Sequence, residues 1–115
     1  MLFNENILEL AQNNTFYRKE IVTGKHSQLM LMCVPAGEEI GQEVHSVDQI
    51  FIFVQGQGQA IISGVISEVF PNHLVFVAAG IQHNFKNTGT DDLKLFTIYA
   101  PAQHKPGITE KTKSE

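Results

Sequence analysis

From residue 15 onward the chain reads as short runs rich in β-branched and aromatic residues, each closed by a turn signal. Strands are predicted over residues 15–23, 28–34, 38–45, 49–55, 59–62, 65–70, 74–78, 81–87 and 93–100. Gly24, Pro35-Ala36-Gly37, Pro71-Asn72 and the polar stretch 87–92 separate them, and Ser63-Gly64 has the form of a two-residue hairpin turn. In run 81–87 the alternation puts Ile81, His83 and Phe85 on one face and Gln82, Asn84 and Lys86 on the other. A helix is predicted over 6–13, capped by Asn4 or Asn6, with Ile7, Leu8 and Ala11 as its apolar stripe. At about two turns it must lean on the rest of the protein to persist. Residues 101–115, polar and containing two prolines and a glycine, read as an extended tail.

Eight or nine short strands at regular spacing imply an all-β sandwich or barrel. With 115 residues the chain forms one domain, 1–115, whose barrel core spans about 26–100. Run 49–54 is apolar on both faces: Gln49, Phe51 and Phe53 share one, Ile50, Ile52 and Val54 the other. An apolar outer face needs a cover, which the helix, the tail or a second subunit can supply. A homodimer is the expectation.

Candidate chemistry concentrates in Gly37–Gly56. Glu43 and His45 are two apart, so on a strand both leave the same face. Ser46-Val47-Asp48 permits a reversal that returns Gln49 beside them, and His83, just after the turn glycine Gly80, is the fourth candidate. Two imidazoles, a carboxylate and an amide oxygen suit a divalent first-row metal. Taken singly, a strand histidine is usually solvated or a satisfied core residue, and a lone glutamate is usually solvated. Phe51, Phe53 and Phe85 share the parity of the candidate ligands and are core residues first, pocket walls second. Arg18 or Tyr17 on the first strand could hold a substrate carboxylate, and Tyr99 is either a pocket acid or core. His26, His73 and His104 lie at turns or in the tail and read as solvated. Gly56-Gln57-Gly58 is no phosphate loop, because no helix follows it.

Charge and composition narrow the class. Eight basic and twelve acidic residues leave a net charge of −4. With no basic stripe, nucleic acid is not the expected partner; Lys111 and Lys113 read as a solvated pair in the tail. No apolar run approaches the ~20 residues that span a membrane, and the N-terminal Met-Leu-Phe-Asn-Glu-Asn lacks the basic start of a secretory signal. The single cysteine, Cys33, lies in an apolar run and reads as a buried inert thiol. The cytoplasm is the expected compartment.

These residues carry a resemblance. In Gly37-x5-Glu43-x-His45-x3-Gln49-x6-Gly56 every spacing matches the first motif of the cupins, which has His-x-His and then Glu at the corresponding places. Glu43 therefore stands where the first histidine belongs, and Gln49 where the glutamate belongs. The second cupin motif is matched in spacing by Asn72, Ala78-Ala79-Gly80-Ile81-Gln82-His83 and Asn87. There Asn72 replaces a glycine, which its tolerance of left-handed backbone allows, and Ala78 replaces a proline. Phe16-Tyr17-Arg18, residues 23–29, Thr97-Ile98-Tyr99-Ala100-Pro101 and Lys111-Thr112-Lys113 resemble a branch of small single-domain bacterial cupins, so the likeness covers about residues 5–113.

The resemblance implies a double-stranded β-helix, the jelly-roll barrel, with a short N-terminal helix. It also implies a metal held by Glu43, His45, Gln49 and His83. The set keeps the single negative charge of three histidines and a glutamate while exchanging one imidazole for an amide oxygen. Harder ligands tilt the choice toward iron, manganese, nickel or cobalt over zinc. The family's range contains isomerisation or epimerisation next to a carbonyl, dioxygenation and decarboxylation of a small metabolite. Glu43 is a possible base, since no lysine or second carboxylate stands beside the ligands. The competing readings are a non-catalytic module that senses or stores a small molecule, and a structural barrel. The barrel fills the 115 residues, which counts against a stand-alone DNA-binding regulator.

Overall fold

The computed structural model describes residues 2–113; Met1, Ser114 and Glu115 lie outside them. One helix is followed by nine strands: α1 (Ile7–Asn13), β1 (Arg18–Thr23), β2 (Gln28–Val34), β3 (Asp48–Gln55), β4 (Gly58–Ile62), β5 (Val65–Val69), β6 (Leu74–Val77), β7 (His83–Asn87), β8 (Leu93–Ala100) and β9 (Thr109–Glu110). They form two antiparallel sheets, one in the order β6-β3-β8-β2-β1-β9 and one in the order β5-β4-β7. This is the jelly-roll arrangement that the strand pattern and the two motifs imply.

Residues paired directly across an antiparallel ladder share a face. On the inner face of the larger sheet this gives three rows: Gln28–Tyr99–Gln49–Val77, Met30–Thr97–Phe51–Val75 and Arg18–Met32–Leu95–Phe53. The main core lies between the sheets and includes Met32, Phe51, Phe53, Phe85, Leu93 and Leu95. The first row therefore collects polar side chains at one end of the barrel, while Met32, Leu95 and Phe53 pack apolar atoms at the other.

Across β2, β8, β3 and β6 the outer face carries two rows with no polar member: Leu29–Ile98–Ile50–Phe76 and Leu31–Phe96–Ile52–Leu74. Helix α1 covers part of it. Asn6 caps the helix by accepting from the Glu9 amide at 3.1 Å. Ala11, fully buried, packs with Leu31 and Val54, and Ile7, Leu10, Ile21 and Phe96 close around them. The buried stripe is thus Ile7, Leu10 and Ala11. Leu8, expected in it, stays 47% exposed because the 3.6-residue period turns it to the far side. Lys94 Nζ donates to the Gln12 carbonyl at 2.7 Å and so fastens the last turn to β8.

Three local expectations are corrected. Residues 38–45 are not a continuous strand: only Glu39↔Lys86 and Glu43↔His83 bridge to β7. Between them Gly41 takes φ 102°, and its amide donates to the Asn84 side chain at 2.9 Å instead of a ladder carbonyl. The first strand begins at Arg18, because Asn14 turns residues 14–16 through bonds to Phe16 N and O. The tail, expected to be extended with Lys113 solvated, docks on the barrel: β9 pairs with β1, and Lys113 Nζ donates to the Glu39 carbonyl at 2.7 Å. Other turns match expectation. Ser63 and Gly64 have φ of 49° and 81° as a tight hairpin requires, and Asn72 sits at φ 74°.

Candidate metal centre

Glu43 reaches the barrel through its bridge to His83: Glu43 N donates to His83 O at 2.8 Å and His83 N to Glu43 O at 3.0 Å. The turn before His83 is tied to the other ligands as well. Gly80 N donates to His45 O at 2.8 Å, and Ala79 N donates to Asp48 Oδ1 at 2.9 Å. Backbone bonds thus hold both motifs together before any side chain is considered.

The side chains converge accordingly. His45 Nε2 lies 3.5 Å and His83 Nε2 4.0 Å from Glu43 Oε1. The ligand atoms of Glu43, His45 and His83 all fall within 4.8 Å of one another. Atoms about 2.1 Å from a common ion stand up to ~4.2 Å apart, so both glutamate separations match a shared ion directly. The two imidazoles meet at 5.4 Å between centroids.

Orientation strengthens the fit. His83 Nδ1 lies 3.0 Å from the Ile81 carbonyl, which can only accept, so Nδ1 carries a proton and Nε2 is the ring atom whose lone pair the neutral imidazole offers. Gln49 is 2% exposed. Its Nε2 donates to Thr97 Oγ1 at 3.0 Å, and that hydroxyl donates to the Ile50 carbonyl at 2.9 Å. Thr97 can therefore only accept from Gln49, which assigns the amide nitrogen to Thr97 and leaves Oε1 free. Among the described residues, His45 Nε2, His83 Nε2 and Gln49 Oε1 are buried without a hydrogen-bond partner. Unpaired nitrogens on two clustered imidazoles beside a carboxylate are what a cation would satisfy, and Gln49 Oε1 is a further buried unpaired oxygen, so the residues present fit a divalent ion.

The other candidates fall around this cluster. Phe51 and Phe85 pack against the His83 ring at 5.8 and 6.3 Å, and Phe53 lies behind Phe85 at 5.4 Å. All three are buried core residues, and Phe51 and Phe85 also flank the candidate ligand His83. Tyr99 is buried edge-on to His45 at 5.9 Å, and burial pushes its phenol well above the usual range. Arg18 points inward, donates from Nη1 to Glu110 Oε1 at 2.8 Å and lies over the Tyr17 ring at 5.1 Å. Burial raises the Tyr17 phenol too.

His26 and His73 are exposed as expected, but His104 is not solvated. Its ring packs edge-on to Tyr99 at 5.1 Å, its Nε2 is buried and unpartnered, and burial, then the Arg18 charge, lower it to about 4. Gln28 places it there, accepting from His104 N at 3.0 Å and donating to His104 O at 2.7 Å. Nothing local to residue 104 signals this contact. Thr97, by contrast, was findable, being on the same parity as Tyr99 one ladder step away. Cys33 is a buried thiol raised to about 11 by burial, as its apolar run implies. A separate surface depression is lined by Gly56, Gln57, Thr88, Gly89, Thr90 and Asp91.

Comparison with known proteins identifies the family and the fold. The cupin domain family model matches residues 30–99, and the chain belongs to that family. A Bacillus subtilis protein, YrkC, is 40% identical over 111 residues, covering 90% of this chain; the chain spans 59% of that relative's length. The crystal structure of BH2720 from Bacillus halodurans superposes with a TM-score of 0.96 at 36% identity, covering 97% of this chain and 90% of that one. A Thermotoga maritima protein described as a predicted oxalate decarboxylase shares the fold at a TM-score of 0.62 and 22% identity, covering 65% of this chain and 66% of that one.

Proposed function

We propose that this member of the cupin family holds one divalent first-row ion between Glu43, His45, Gln49 and His83 and uses it on a small polar metabolite. The observation that carries the reading is the pair of buried unpartnered atoms His45 Nε2 and His83 Nε2 beside the Glu43 carboxylate, with Gln49 Oε1 a third buried atom without a partner. Two oxygen and two nitrogen donors favour iron, manganese, nickel or cobalt over zinc. The ion supplies Lewis acidity toward a carbonyl, carboxylate or hydroxyl oxygen. The chain's own residues do the rest. Phe51 and Phe85 exclude water behind His83, and Thr97 holds the Gln49 amide. The Glu43 side chain is 29% exposed against 2% for His83, which leaves it the ligand best placed to exchange a proton with a substrate or solvent.

Isomerisation or epimerisation beside a carbonyl, decarboxylation and dioxygenation are the reaction classes such a centre serves. The test is turnover by metal-loaded protein across these classes, repeated with Gln49→Ala and His83→Ala. Activity that neither change reduces would contradict the reading. One observation favours the alternative, a binding or sensing module: among the described residues the cluster contains a single carboxylate. Ligand binding without turnover would select it.

The assembly belongs to the same proposal. Leu74 and Phe76 are 61% and 55% exposed, next to Ile50 and Ile52 in the outer rows that α1 leaves open. We place a second copy of the chain against them.

A further inference from the structure

Among the described residues five buried side-chain atoms lack a hydrogen-bond partner, and the ligand set accounts for three of them. The other two, Arg18 Nε and His104 Nε2, belong to the surroundings of Tyr99. The Tyr99 ring meets His45 edge-on at 5.9 Å and His104 edge-on at 5.1 Å, so His104 is one ring away from the ligands. The Arg18 guanidinium acts electrostatically on both Tyr99 and His104. Its side chain is 12% exposed and held at one end by Glu110 and on its face by Tyr17. That grip fixes its orientation and leaves Nε–H without an acceptor.

A guanidinium N–H can only donate, so a cation at the ligand cluster cannot satisfy it. The missing partner of Arg18 Nε is an acceptor, and the same group serves His104 when its ring proton is on Nε2. Charge selects its class. Arg18 and Glu110 neutralise each other, His45 and His83 bind as neutral imidazoles, and a divalent ion with Glu43 leaves one net positive charge. A monoanion restores neutrality. A carboxylate offers two in-plane oxygens to two N–H donors.

We propose that Arg18 Nε and His104 Nε2 form a carboxylate-binding pole beside the metal cluster, and that the ligand is a small hydroxy- or oxo-monocarboxylate spanning the two. The metal end of this assignment rests on the proposed function above; the donor pole stands on its own unpartnered atoms. Tyr99 is the wall between the ends.

The probes are glycolate, 3-hydroxypropanoate and 4-hydroxybutanoate, which differ in reach by one carbon, each beside its uncharged amide. Calorimetry on metal-loaded protein is expected to find at least one acid that binds at least tenfold more tightly than its amide. Arg18→Lys preserves a cation for Glu110 but removes Nε–H. His104→Phe preserves the edge-on packing on Tyr99 but removes the donor. Each is expected to weaken the acid at least tenfold with metal content unchanged. If no acid outbinds its amide, or both variants bind like wild type, the assignment is wrong. Formate added to metal-free protein separates the two claims. A shift of the His104 ring resonances in wild type and in His83→Ala, lost in Arg18→Lys, upholds the pole even where metal loading fails. No shift in wild type rejects the pole whatever the metal result.

Discussion

Gln49 Nε2 donates to Thr97 Oγ1 at 3.0 Å, and because that hydroxyl is committed to the Ile50 carbonyl, the Gln49 oxygen is left buried without a hydrogen-bond partner. Thr97→Val keeps the side-chain shape, removes the hydroxyl and frees the amide to rotate. Metal affinity measured by competition with a chromogenic chelator should fall about 10- to 100-fold, the usual effect of losing an outer partner of a ligand. Thr97→Ser should restore it. Unchanged affinity in Thr97→Val would show that the Gln49 oxygen is not a ligand.

Phe85 is fully buried and packs against Phe51 at 4.2 Å and Phe53 at 5.4 Å between centroids. Truncating it opens a cavity in the middle of the core. Phe85→Ala should lower stability by about 3–5 kcal/mol, read from urea unfolding as a lower midpoint at unchanged slope. A loss below about 1 kcal/mol would mean that the barrel interior collapses around the gap.

The lowered protonation of His104 has a defined sign. Its value falls from 6.5 to about 4 through burial first, with the Arg18 and His45 charges adding to it and Glu110 opposing. The unfolded chain therefore binds a proton between those values that the folded chain does not. This contribution to stability is complete above pH 6.5 and is lost as pH falls toward 4. Carboxylates titrate in the same window, so the readout is a difference: His104→Phe should flatten the fall in melting temperature relative to wild type. Parallel curves would place His104 in solvent.

The outer rows make the oligomer testable. Sedimentation equilibrium should give a dimer for the wild type, and Phe76→Asp, which sets a charge among Ile50, Leu74 and Ile98, should give a monomer that is still folded. A monomeric wild type at tens of micromolar would remove the second copy from the account.

Much of this was legible in the chain because it is encoded locally. The predicted strand 28–34 coincides with β2, and the positive φ of Asn72 follows from the motif place of a glycine. The two-residue offset of Glu43 and His45 and the spacing to His83 placed three ligand candidates in one cluster. The strand expected at 38–45 failed because Gly41 and the Asn84 side chain replace ladder bonds, which no alternation of residues reports. His104 was misread for a different reason. It is held by Gln28, which is 76 positions away, and a contact of that range leaves no periodic trace. The docking of 109–110 on β1 is equally non-local.

The central claim is the metal centre, and the most direct measurement is elemental analysis of protein purified without a histidine tag or added metal, beside the His45→Ala/His83→Ala double variant. The account predicts close to one first-row ion per chain in the wild type and none in the variant. No metal in the wild type, even after reconstitution with iron, manganese, nickel and zinc, would contradict it and leave the barrel as a metal-free binding module.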